Sequence, residues 1–138
     1  MQKTILLVDD NAVQATVRQA ILKRHEYMVI TALNPSRALE QLRYGDFLTE
    51  IHLVITDHIM PGMTGSTFVR AVRDLHPQIP ILVISGLEEA VAEYTDLNIE
   101  FRVKPLPPEQ LLECVRDLAG PSEPASDPLL SHPAPAVA

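Results

Sequence analysis

The sequence contains no tryptophan, a single cysteine (Cys114) and few aromatic residues, 4% in all. A core built without large rings must be aliphatic. One thiol allows no internal disulfide and points to a reducing cytoplasm as the expected setting. Long apolar runs are also missing. Residues 79–84 form one of the longest, whereas a membrane-crossing helix needs about twenty residues. No apolar stretch follows a basic N-terminus, so no signal peptide is expected. Basic residues are in the minority, 11 Lys and Arg against 18 Asp and Glu, for a net charge of -7. That balance argues against a broad nucleic-acid surface, which needs clustered Lys and Arg. It leaves cation binding and basic protein partners open.

What remains is enough for one domain. The 138 residues are 46% hydrophobic and 21% charged, a composition that can bury a core. The composition shifts at Gly120. Residues 120–138 hold five of the 12 prolines and no Lys or Arg. Such a stretch lacks backbone donors and an apolar face, so it is expected to be a Pro-rich disordered tail or linker after a folded unit at 1–119.

Inside that unit, strand-like and helix-like segments alternate. Short aliphatic or β-branched runs at 4–8, 27–31, 53–56, 79–84 and 99–103 read as strands. Between and after them, 12–24, a segment from Asn34-Pro35 to near Gly45, 65–75, 88–97 and 107–118 read as five helices. In the first helix Val13, Val17, Ala20 and Ile21 are the expected apolar face, and in the last Leu111, Leu112, Val115 and Leu118. Strict alternation requires right-handed crossovers, hence a parallel sheet with helices on both faces. Sites in such α/β folds lie beyond the carboxyl ends of the strands, near the switch in strand order.

The residues at those ends carry chemistry. Asp9-Asp10 follow the first strand, Asp57 the third, Ser85 the fourth and Lys104-Pro105 the fifth. Taken singly, each has a plainer reading: a helix cap, a turn before Pro61-Gly62, a Ser-Gly turn, a solvated lysine. Turn chemistry does not explain all four at successive strand ends. Carboxylates crowded there repel; at about 4 Å a like pair costs on the order of 4 kcal/mol at an effective dielectric near 20. A hard cation with oxygen ligands, Mg²⁺ above all, relieves that cost. A cation, a lysine and a hydroxyl together suit a phosphoryl group, and an attacked carboxylate would become an acyl phosphate.

These motifs, LLVDDN at 6–11, ITDHIMPGMTG at 55–65, ISG at 84–86 and VKP at 103–105, give the chain its resemblance to the receiver domain of two-component response regulators, the group that includes chemotaxis regulators. The resemblance covers about residues 3–118. It implies a flavodoxin-like (βα)5 fold with strand order 2-1-3-4-5. It implies that Asp57 is the phosphoacceptor and that Asp9, Asp10, Asp57 and the backbone carbonyl of Ile59 hold Mg²⁺, Asp10 directly and Asp9 largely through water. Ser85 and Lys104 would contact the phosphoryl group, Pro105 commonly follows through a cis peptide bond, and Phe101 would be the aromatic switch residue moving with Ser85. The implied partners are a histidine kinase or a histidine phosphotransfer protein, with a downstream protein not specified and no direct contact with nucleic acid or membrane. Such a domain assists its own phosphorylation and dephosphorylation without being an enzyme in the ordinary sense.

The sequence departs from the family pattern at three places. Thr64 stands where Asp is frequent. Phe101 lacks the hydroxyl of the common Tyr. The segment 88–97 is acidic, with Glu88, Glu89, Glu93 and Asp96 and no Lys or Arg, whereas one large subfamily uses a basic residue there for a phosphorylation-dependent dimer. Such a dimer is left open on other contacts. His58, beside Asp57, is expected to face solvent, and Cys114 to be a packed thiol. Two other classes fit the sequence less well. An aspartyl-phosphate-type phosphatase needs an acid two residues after the nucleophile, where Ile59 stands. A flavodoxin-like electron carrier needs a Ser/Thr/Gly-rich loop where Asp9-Asp10-Asn11 stand. Met1, just before the first strand, points to a natural N-terminus. A stand-alone regulator, a phosphorelay intermediate and a receiver piece of a hybrid kinase or larger regulator all fit the sequence.

Overall fold

The computed structural model describes residues 1–124, and the remainder of the expected tail lies outside the described residues. Five strands form one sheet: β1 (Thr4–Val8), β2 (Met28–Ala32), β3 (Leu53–Asp57), β4 (Ile81–Ser85) and β5 (Glu100–Val103). All neighbours pair in parallel, in the order β2-β1-β3-β4-β5. The α/β architecture and strand order agree with expectation.

Every residue of β1, β3 and β4 is buried, because helices cover both faces. Side-chain alternation splits the core in two. Ile5, Leu7, Leu53, Ile55, Leu82 and Ile84 pack with α1 (Ala12–Arg24) and α4 (Pro108–Ala119). Leu6, Val8, Val54, Ile81 and Val83 pack with α2 (Pro35–Tyr44) and α3 (Gly65–Leu75).

Local signals set the helix starts. The Asn11 side chain accepts from Gln14 N at 3.0 Å and so caps α1. Asn34 accepts from Ser36 N and Arg37 N, with Pro35 in the first turn of α2. Thr64, one of the departures from the family pattern, caps α3 by accepting from Thr67 N at 3.3 Å. Gly45 closes α2 in the left-handed conformation at φ 66°.

Two expectations are corrected. The segment read as a fourth helix at 88–97 is a 3-10 segment, Glu88–Tyr94; no side chain caps its start, and two of its residues, Ala90 and Tyr94, are buried. The buried side of α1 is Ala15, Arg18 and Leu22, while Val13 and Val17 are 75% and 55% exposed. An arginine on the inner face is the reason. It is buried because carboxylates await it at the strand ends, so the helix turns its β-branched residues outward. The segment after α4 runs back to the N-terminus: Ser122 Oγ accepts from Lys3 N at 2.8 Å and donates to Glu26 O at 2.7 Å.

Candidate functional site

β1 and β3 are adjacent, with β2 on the outer side of β1, so the order reverses between their carboxyl ends. Asp9 follows β1 and Asp57 ends β3. Both are almost wholly buried, at 0% and 3% exposure. Asp9 Oδ1 accepts from Asn11 N at 2.9 Å. Asp9 Oδ2 and Asp57 Oδ2 accept from the same nitrogen, Gln14 Nε2, at 2.7 and 2.8 Å. Arg18 Nη1 reaches the same two oxygens at 3.3 and 3.5 Å. On the other side, Lys104 Nζ lies 2.7 Å from Asp57 Oδ1. Burial pushes the Asp57 carboxyl up to about 6; Lys104 and Arg18 pull it down and Asp9 adds to the rise.

The structure thus brings Asp9, Asp57 and Lys104 into one pocket. Asp10 is exposed, and Ile59, two residues beyond Asp57, is 64% exposed. Ser85 is buried at the end of β4; its Oγ accepts from Leu87 N at 3.0 Å, and its carbonyl accepts from Lys104 N at 2.8 Å. The Lys104–Pro105 peptide is cis. Phe101 is half-buried, and its ring lies 5.8 Å from that of Tyr94.

Three participants escaped the sequence reading. Gln14 and Arg18 stand one helical turn apart in α1, on the face toward the strand ends; their spacing from Asp9 is the only trace of this in the sequence. His58 is the third, and its expected exposure is corrected. It is buried at 5% exposure, with Nδ1 2.6 Å from Tyr94 Oη and Nε2 3.2 Å from Glu93 Oε2. Alternation along β3 turns it away from Asp57, toward the 3-10 segment.

The comparisons with known proteins agree with this fold. Residues 5–116 match the response regulator receiver domain. The chain belongs to that family. Over 105 residues the chain is 34% identical to the transcriptional regulatory protein ZraR of Escherichia coli K12, covering 74% of this chain and 23% of that protein. The two-component response regulator ARR17 of Arabidopsis thaliana is 35% identical over 92 residues, 59% of this chain and 60% of that protein. Among solved structures, the chemotaxis response regulator CheY4 of Vibrio cholerae superposes with a TM-score of 0.75 at 28% identity, covering 86% and 99% of the two chains. The chain therefore spans less than two thirds of these curated relatives.

Receiver domains are phosphorylation-controlled signalling switches and not enzymes in the ordinary sense. The family implies a histidine kinase or phosphotransfer partner, and its members generally bind Mg²⁺ at the acidic pocket. The donor set of this receiver domain fits that ion chemically. The Asp9 and Asp57 carboxylates are close enough to share one donor nitrogen, and hard oxygens are what Mg²⁺ takes. As the side chains stand, no three of the described His, Cys, Asp and Glu residues are gathered to hold a metal. Asp9 and Asp57 are instead balanced by Arg18 and Lys104. No helix among the described residues is long and apolar enough to cross a membrane.

Proposed function

We propose that this receiver domain accepts a phosphoryl group on Asp57 from the phosphohistidine of a histidine kinase or a histidine phosphotransfer protein. An Asp57 carboxylate oxygen attacks phosphorus, the P–N bond of the donor breaks, and an acyl phosphate forms while the donor histidine is regenerated. The observation that carries this reading is the buried Asp57 with Lys104 Nζ at 2.7 Å and Asp9 tied to it through Gln14. Lys104 orients one carboxylate oxygen and offers its charge to the transferred group. Ser85 would exchange its loop bond with Leu87 N for a phosphoryl oxygen, and Phe101 would follow it, altering the surface read by a downstream protein. Asp9, Asp10, Asp57 and the carbonyl of Ile59 are the groups that would hold Mg²⁺, which when bound would offset charge on the phosphoryl oxygens. Loss of the phosphoryl group by attack of water would use the same residues.

Residues 1–119 form the unit that does this, and 120–138 serve as tail or linker. The curated relatives are longer than the span matched here; a receiver piece of a larger regulator or hybrid kinase is one form of this reading, and a stand-alone regulator another.

Acetyl phosphate with Mg²⁺ tests the reading. Intact-mass analysis should show one added phosphoryl group on the wild type and none on Asp57→Asn. Equal labelling of both proteins would overturn it.

A further inference from the structure

The pocket contains a cation that the family motifs do not account for. Arg18 is 8% exposed, and an arginine is rarely buried so deeply without carboxylate partners. Its Nη1 stands between Asp9 Oδ2 at 3.3 Å and Asp57 Oδ2 at 3.5 Å. Gln14 Nε2 bridges the same two oxygens at 2.7 and 2.8 Å. The two donors and two acceptors close a ring. With Lys104 on Asp57 Oδ1, two carboxylates face two cations, and the set is neutral without any metal.

A divalent ion using these same oxygens would meet a guanidinium already among them. At contact distances the repulsion is large, and both cannot hold the same lone pairs. The guanidinium has somewhere to go. A groove of about 570 Å³ opens beside it, lined by Gln14, Arg18 and Lys104 with Val17, Ile21 and Leu111. Its apolar wall can take the arginine stem while the head stays solvated.

We propose that Arg18 is a resident cation of the acidic pocket, spanning Asp9 and Asp57 in the metal-free protein, and that a divalent ion enters only as the guanidinium withdraws into the groove. This rests on the reading that Asp9 and Asp57 form a metal-binding pocket. Arg18 is here a positioning residue: it holds the two carboxylates together between turnovers and raises the concentration of metal needed to arm Asp57.

Titration calorimetry with MgCl2 on the full chain tests the proposal. Arg18→Met keeps the stem and removes the competing charge, and it should bind Mg²⁺ at least about tenfold more tightly than wild type, about 1.4 kcal/mol. In the wild type, the Arg18 side-chain Nε–H signal in ¹⁵N NMR should shift over the same MgCl2 range as the Asp10 backbone amide. That second measurement decides the matter if Arg18→Met does not fold. Equal or weaker binding by Arg18→Met overturns the proposal. So does an Arg18 signal that stays fixed while the Asp10 amide saturates. If neither protein binds Mg²⁺, the metal reading itself fails and takes the proposal with it.

Discussion

The imidazole of His58 and the hydroxyl of Tyr94 lie 2.6 Å apart in the protein interior, joining the residue after Asp57 to the last residue of the 3-10 segment. Glu93 Oε2 sits 3.2 Å from Nε2 of the same ring, and Glu93 Oε1 accepts from Ser66 Oγ at 2.8 Å. A carboxylate only accepts, so Nε2 carries a proton, and in the neutral ring Nδ1 accepts from the phenol. Burial, with the charges of Glu93 and Asp57, pushes the Tyr94 hydroxyl above its ordinary pKa and keeps it a donor. The Tyr94 ring also packs on Phe101, so one residue touches both His58, just after β3, and Phe101 on β5.

Tyr94→Phe removes the donor and leaves a buried ring nitrogen without a partner. Stability should fall by about 1–3 kcal/mol in urea denaturation, the cost of an unsatisfied buried group. Combined with His58→Ala, the loss should be less than the sum of the two single losses, because both changes break one bond. Simple additivity would mean that the contact contributes nothing.

Arg73 fastens the far side of the sheet. Its guanidinium donates to Leu97 O at 2.7 Å and Asn98 O at 2.8 Å, ahead of β5, and also to Ile79 O ahead of β4. Asn98 itself adopts φ 51°, and its carbonyl orientation depends on that turn. Arg73→Ala should cost about 2–3 kcal/mol, since these bonds are charge-assisted and mostly sheltered. Arg73→Lys should recover less than half of it, because a single ammonium cannot reproduce the planar fork. Full rescue by lysine in thermal melts would show that charge alone matters.

The parallel sheet was legible because β1, β3 and β4 are apolar at nearly every position and turn residues punctuate the chain between them. Asp9, Asp57 and Lys104 could be placed at the strand ends for the same reason. Arg18 and His58 could not. A sequence pattern treats a charged side chain as outward, and only the fold reveals that Arg18 faces two carboxylates, one 39 positions away. His58 follows the same logic: the partners that permit its burial, Glu93 and Tyr94, come from a distant segment. The apolar face expected for α1 failed for that reason too, since Val13 and Val17 gave way to a buried arginine. The segment 88–97 was misread as an ordinary helix because its composition favours one, while its unsupported start and few inward residues leave it as a 3-10 segment.

Gly65 opens α3 where that helix approaches β3. A Cβ placed there would lie 2.5 Å from both the Asp57 carbonyl oxygen and Tyr94 Oη, and 2.7 Å from His58 Cα. Two of those three atoms are backbone and cannot step aside as a flexible side chain would. Gly65→Ala should therefore destabilise the protein by about 1–3 kcal/mol, despite alanine's higher helix propensity. Because the carbonyl belongs to Asp57, the rate of labelling by acetyl phosphate should fall as well. A variant with wild-type stability and labelling would show that β3 and α3 separate at little cost.

Asp57 gives the fold a pH dependence whose sign follows from burial. Its carboxyl is raised from an ordinary 3.8 to about 6, with desolvation the largest cause and Lys104 and Arg18 opposing it. A group that binds its proton more tightly when folded contributes stability that is complete below the unfolded pKa and lost as pH rises through the folded one. In metal-free buffer this term should cost the wild type on the order of 2–3 kcal/mol between pH 4 and pH 7. Asp57→Asn carries no such titration. The stability difference, Asn variant minus wild type, should therefore grow in favour of the variant over that interval, and taking the difference cancels the carboxylates that do not touch Asp57. The Lys104 ion pair forms only when Asp57 is ionised, so its contribution is already contained in the net shift and adds no separate offset. A difference that moved toward the wild type as pH rose would mean that Lys104 and Arg18 together outweigh the burial of the charge.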